Sequence, residues 1–436
     1  MSVLGQALAC RHLVGQPRCS SALPHLAVIL LLALVVGCAG SRTVAPETGT
    51  TYLDRAQTQS EGPVRVTAAV PSATETEKLF GAPLYNKDVQ PVWLEIENKG
   101  TSRLVFLPVG LDPFYFAPTE AAYLVQDGKR PGLDPDTGQP FYDQAIGLSV
   151  PVGDTRRGFV FSNLDEGTKA FNVDLVSDDH QVYSFTFFIP VPGLQLDHQT
   201  VDWDNLYAPS QWQSTEDTEA LIAALEGLPC CTTDKKGEDQ GDPLNIVVIG
   251  DADDVFQAFL RAGWDETETI YGGSLMKTVA SFFSGGEYRY SPVSGLYVFE
   301  RPQDIALQKA RGNIHERNHL RLWLTPVRYR GDRVWIGQIS RDIGVRFTTR
   351  TITTHKIDPD VDETREFLLE DLAYAQSLRA YAYVEGVGAA PIEAPRANLT
   401  GDPYFTDGYR IVLWVSADPI SIADVKARSW RDPGAR

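Results

Sequence analysis

The chain has 436 residues, more than one hydrophobic core usually organises. With 43% hydrophobic and 22% charged residues it is neither collagen-like nor wholly disordered, so two domains are expected. A formal net charge of −18 argues against nucleic acid as a partner and against adhesion of a broad surface to anionic lipid.

The first feature in chain order is an apolar run, Leu26 to Val36, preceded by Arg11 and Arg18, which are the only charged residues before Cys38. Val35-Val36-Gly37-Cys38-Ala39 follows, giving the charge, core and small-residue order of a secretory signal. A spanning helix needs about 20 apolar residues, and polar Ser41 and Arg42 come too soon for one. Val-Val-Gly-Cys resembles the lipobox of bacterial lipoproteins, in which the cysteine thiol takes diacylglycerol, the preceding peptide is cut and the new amino group is acylated. The resemblance implies a signal peptide over residues 1–37 and lipidation of Cys38. Several acyl chains hold a protein where one holds only marginally. Ala39 in place of Asp implies sorting to the outer membrane, so the expected location is the bacterial envelope, lipid-anchored and facing the periplasm. The expected partners are the membrane, through the anchor, and an envelope protein or ligand whose identity the sequence does not give. The alternative, a buried helix ending in a chance cysteine, fits poorly with the linker-like residues downstream.

Residues 38–62 are rich in Ser, Thr, Gly, Gln and Glu and read as a flexible tether. From 63 to 205 short alternating runs follow, among them Val92 to Glu97, Phe159 to Phe161, Phe171 to Leu175 and Tyr183 to Phe187, with turn residues Asn98-Lys99-Gly100 between neighbours. Period two predicts strands and hairpins, and hence an immunoglobulin-like β-sandwich with one short helix at Thr74 to Phe80. Residues 206–242 read as a helix, Thr215 to Leu225, and a second linker containing Cys230-Cys231. These vicinal cysteines read as a disulfide or as idle thiols; they lack the strand-to-helix junction of a redox pair.

Residues 243–388 predict a mixed α/β (α+β) domain. Leu244 to Ile249 suits a buried strand, and Gly250-Asp251 leads into a helix through Leu260. Ser274 to Phe283 and Val361 to Ala375 read as helices. Gly295 to Phe299, His319 to Val327, Arg333 to Ser340, Val345 to Ile352 and Leu378 to Val384 read as strands, with one layer of helices on the sheet. Residues 389–436 form a C-terminal extension whose strand, Tyr409 to Val415, returns to that sheet.

Several ordered motifs stand in this region: Ser291-Pro292-Val293, Phe299 to Ala306, His319-Leu320-Arg321-Leu322-Trp323, Ser340-Arg341-Asp342-Ile343-Gly344 and His355 to Asp362. Together they resemble the LssY-type C-terminal domain family over residues 243–388. The resemblance implies a bacterial, envelope-associated protein and carries no established activity, so no catalytic residue transfers with it.

His315-Glu316-Arg317-Asn318-His319 spells H-E-x-x-H, the zinc protease pattern, which makes His315, Glu316 and His319 weak metal candidates. The pattern demands a helix, whereas His319 opens a strand, and no metal or other cofactor is predicted. On that strand His319, Arg321 and Trp323 share one face and the intervening leucines the other. With Arg341, His355 and Asp358 they form a candidate His/Arg/Asp cluster suited to a phosphate or to acid/base work. A satisfied network of buried ion pairs is the competing account. Asp358, Asp360 and Asp362 imitate the start of a calcium loop, but Glu363 and Leu369 break it, and Asp360 with Glu363 reads instead as a helix cap. Two functions remain open: a binding or structural module at the membrane surface, or a hydrolase of a phosphorylated envelope lipid or glycan.

Overall fold

A computed structural model describes residues 51–126, 132, 134–194, 198, 201–203, 205–267, 295–310, 317–346, 354–431 and 433; for Val345, Arg346, Thr354 and His355 it describes the backbone only. Cys38, His315, Glu316 and the predicted helix Ser274 to Phe283 lie outside this set.

The alternating runs of the first region form strands β1 (Gln57–Glu61), β2 (Val64–Ala69), β3 (Val89–Asn98), β4 (Leu104–Leu107), β5 (Ser149–Val150), β6 (Thr155–Asn163), β7 (Gly167–Ser177) and β8 (Val182–Val191). They make two antiparallel sheets, ordered β1-β2-β3-β6 and β5-β4-β7-β8. Val66, Leu94, Ile96 and Val160 of the first sheet share a core with Phe171, Val173, Leu175 and Phe187 of the second, the layer architecture of an immunoglobulin-like sandwich.

Two features were not expected. Strand β1 occupies residues assigned to the tether, because a polar edge strand has no apolar face to announce it. The Gln57 and Gln59 amides donate to the carbonyls of Phe188 and Thr186, each at 2.5 Å, and so tie the edge of one sheet to the edge of the other. The second feature is a helical layer outside the first sheet, in which the expected short helix α1 (Ala73–Phe80) is joined by two unexpected ones, α2 (Pro118–Val125) and α3 (Pro135–Gln144). Both of the last two start on proline, which is tolerated at that position, and α3 contains Pro140, so proline masked them. They bury Phe159 and Phe161 while Val160 enters the core between the sheets.

The second region contains β9 (Gln213–Thr215), α4 (Thr218–Glu226), β10 (Cys231–Thr233), β11 (Gln240–Pro243), β12 (Ile246–Ile249), α5 (Ala252–Arg261), β13 (Asp265–Glu266), β14 (Tyr297–Val298), β15 (Arg301–Pro302) and β16 (Ile305–Ala310). It continues with β17 (Arg317–Tyr329), β18 (Asp332–Arg346), β19 (Thr354–Ile357), α6 (Val361–Tyr374), β20 (Leu378–Glu385), β21 (Arg396–Ala397), β22 (Pro403–Tyr404), β23 (Tyr409–Val415) and β24 (Lys426–Ala427). One large mixed sheet runs β13-β16-β17-β18-β12-β23-β20-β24, with β19 beside β18 and β9 beside β17. The chain's late strand β23 lies at its centre, parallel to β12.

Helices cover both faces, where a single layer was expected. Val255 and Phe259 of α5 and Leu368 and Leu372 of α6 pack on Ile246, Val248, Leu320 and Leu322. Leu221, Ile222 and Leu225 of α4 pack on Val247, Ile249, Val334 and Val412 from the opposite side. The all-apolar run of β12 records this double burial. The segment read as a second linker is therefore folded: α4 is a wall of the core, and β10 pairs with β11. Cys230 and Cys231 are joined as a disulfide at the start of β10.

Arg410 of β23 fixes α4 in place. Its guanidinium is fully buried and donates to the carbonyls of Leu225 (2.5 Å), Leu228 (3.1 Å), Pro229, Leu244 (2.9 Å) and Gly386 (3.0 Å). It thereby ties the Leu225 carbonyl in the last turn of the helix to the segment that follows, and burial without a carboxylate partner among the described residues pulls it down to about 10. Replacing Arg410 with Met takes this shared donor from buried carbonyls, so Arg410→Met is expected to cost about 3 kcal/mol in a urea titration; a loss within error of zero would refute this role.

Candidate functional site

β17 and β18 pair antiparallel, with His319 opposite Ser340, Arg321 opposite Gln338 and Leu322 opposite Gly337. Alternation sends Leu320, Leu322 and Leu324 into the core under α5 and α6. Arg317, His319, Arg321 and Trp323 take the other face, where Trp323 packs with Leu244, Leu296, Val298 and Ile336. Gly337 makes the crossing possible, since a Cβ there would stand 2.6 Å from Leu322 Cδ2 and 2.8 Å from Ile246 Cγ1.

The polar face is a buried network. His319 Nε2 lies 2.6 Å from Asp342 Oδ2, Arg317 Nη1 donates to Gln308 Oε1 at 2.7 Å, and Arg321 Nη1 donates to Gln338 Oε1 at 3.0 Å. His319 is 7% exposed, Arg321 6%, Arg317 4% and Asp342 2%. Burial holds the His319 imidazole below its ordinary value against the attraction of Asp342, and the two flanking guanidiniums push the same way as burial. Burial also lowers Arg317, opposed by Asp342. Asp242 completes the set: burial raises it, Arg321 and Asn398 oppose the rise, and Asp342 and Asp402 add to it. Asn398 Nδ2 donates to Asp242 Oδ1 at 3.1 Å, linking the C-terminal segment to this face.

The other candidates lie elsewhere. Arg341 and Asp342, expected between two strands, lie inside the single continuous strand β18 and so point to opposite faces. Arg341 faces α6, where its Nη1 donates to Glu363 Oε1 at 2.8 Å and its guanidinium stands 5.4 Å from the Phe367 ring centre. The Asp358 carboxylate accepts from the backbone N–H of Asp360, and Asp360 in turn accepts from Glu363 N as the cap of α6. His355 lies on β19 opposite Val345, and its side chain is outside the described residues. The expected convergence is therefore corrected at Arg341, which the pleat of β18 turns toward α6 and away from His319 and Arg321. The zinc pattern fails too, because Arg317, Asn318 and His319 are strand residues and cannot share a helix with His315. Among the described residues no group of three His, Cys, Asp or Glu side chains is placed to hold a metal ion.

Sequence reasoning gave Asp304 no role, and it set Asp342 beside Arg341 without separating their faces. Arg301 grips Asp304 through two bonds of 2.9 Å, and Asp304 Oδ2 accepts the Leu324 N–H at 2.7 Å, which pins the β14–β15 hairpin to β17. Residues 223–409 match the family described as LssY C-terminus. The chain carries an LssY-type C-terminal domain. The match begins inside α4 and ends at Tyr409, the first residue of β23, so Arg410 lies just beyond it. No curated protein matches the chain.

Two consequences are testable in the LssY-type domain. Asp342→Asn removes the carboxylate that faces His319 and Arg317, and is expected to cost about 3 kcal/mol by urea titration. The His319 imidazole binds its proton less readily folded than unfolded, so it withdraws stability as pH falls below the unfolded value of 6.5. The stability gap between wild type and His319→Gln should accordingly narrow from about pH 7 to about pH 5; a gap that widens would contradict the direction of the shift.

Proposed function

We propose that this protein is a lipid-anchored envelope protein, acylated on Cys38, whose sandwich and LssY-type domain act by binding a partner or ligand at the membrane surface. The observation that carries the binding reading is the division of the chemically capable residues between the two faces of β18, each tied to an internal partner. Catalysis asks the same residues to meet at one exposed point. Support for the location comes from the Val-Val-Gly-Cys sequence and from the Cys230–Cys231 disulfide, a bond that persists in oxidising compartments. No described helix is long and apolar enough to cross a membrane. By the lipobox resemblance the outer membrane, facing the periplasm, is the proposed site. In cells fed a labelled fatty acid, the wild-type chain should carry the label and sediment with membranes while Cys38→Ala carries none. Absence of label from both would sink the anchor.

A second reading rests on the His319–Asp342 contact, because a buried carboxylate beside an imidazole is how a general base is oriented. Arg317 and Arg321 flank it with cationic charge suited to a phosphoryl group. On this reading the protein hydrolyses a phosphorylated envelope lipid or glycan. Phosphate release from a phosphorylated lipid by the wild type, abolished in His319→Gln, would favour hydrolysis; no release by the folded wild type is the outcome expected of a binding protein.

A further inference from the structure

The sandwich and the LssY-type domain belong to one compact unit, Thr50–Arg436, and a cleft of about 590 Å3 opens where they meet. This volume falls within the range of about 300–1,000 Å3 typical of small-ligand sites, which favour domain junctions. The sandwich wall offers Thr168, Thr186 and Phe188; the facing wall offers Phe256 and Gln257 of α5 and the buried Glu266 of β13. Hydroxyl and amide groups both donate and accept, so such a wall satisfies a ligand that does the same. The Phe188 and Phe256 rings add apolar area, with the His198 ring 4.5 Å from that of Phe256 between centres.

Among the described residues no lysine or arginine lines the cleft, whereas Asp253 does, so an anion is disfavoured there. Burial holds the Glu266 carboxyl up at about 7, against hydrogen bonds from Thr168, which lets it keep a proton to donate at neutral pH. The junction is built around that carboxyl. β7 starts at Gly167 with φ +80°, and a Cβ there would stand 2.6 Å from Glu266 Oε2, so only glycine brings the strand so close.

We infer that the cleft binds neutral sugar rings of a glycan: the ligand chemistry that combines many uncharged hydroxyls with an apolar ring face. This deepens the reading of the chain as a binding protein and does not depend on the lipid anchor.

Calorimetric titration of the full chain in detergent with oligomers of glucose and of N-acetylglucosamine tests it, with oligogalacturonate as the anionic counterpart. Saturable binding of a neutral oligomer is expected, weakened about tenfold by Phe256→Ala and severalfold by Gln257→Ala, and unchanged by Arg103→Ala outside the cleft. Should Phe256→Ala fail to fold, the Gln257→Ala comparison decides alone. The inference is overturned if neither neutral oligomer binds, if only the anionic one binds, or if the cleft variants bind as wild type does. A negative result here leaves the fatty-acid labelling of Cys38 unaffected, so failure of the cleft and failure of the anchor are told apart.

Discussion

The two-residue period of β17 is the constraint from which the LssY-type domain is built. A strand flanked on both sides must satisfy two environments with alternate residues. Here three leucines enter the core beneath α5 and α6, while Arg317, His319 and Arg321 enter a polar layer on the other side. A buried guanidinium is tolerable only if its donors and its charge are both met. Gln308 and Gln338 meet donors; Asp342, together with the more distant Asp242, meets charge. The same sheet carries a further buried cation, Arg410, whose described partners are carbonyl oxygens. On α6, buried Arg365 is held by Asp362, Asp407 and Glu366. Buried arginines thus fasten the sheet to α4, α6 and the C-terminal segment.

Much of this was legible in the sequence, and the failures share a cause. The face assignment of His319, Arg321 and Trp323 came directly from alternation, and the double burial of β12 is written in its uninterrupted apolar run. The continuity of β18 was not legible, because Ser340, Arg341, Asp342 and Gly344 have the composition of a turn. They sit in a strand because the polar layer gives Asp342 a partner and α6 gives Arg341 another. The same error recurs at β1, whose Gln57 and Gln59 look like tether residues until β8 supplies carbonyls for their amides. In each case a polar residue was read as solvated when tertiary structure had provided its partner. Helices α2 and α3 failed differently, since proline at the first position starts a helix as readily as it ends one.

For function, the consequence lies in what the motifs of the LssY-type domain do. Arg301 and Asp304 pin a hairpin, His319 and Asp342 pair across two strands, and Asp360 caps α6. These contacts turn a set of residues with catalytic character into the internal scaffold of one sheet. On the proposed binding reading, recognition falls to surfaces the scaffold holds in place, among them the junction with the sandwich, which β8, the start of β7, α5 and β13 enclose.

The account turns on whether the polar layer is sealed and internally paired. NMR titration of the His319 ring in the full chain measures this most directly. A ring that stays neutral and hydrogen-bonded through the neutral pH range, with protected exchange at its Nε2 proton, is what the buried pairing with Asp342 predicts. A ring that titrates near the ordinary histidine value and exchanges freely with solvent would contradict it, and would reopen this face as a catalytic surface.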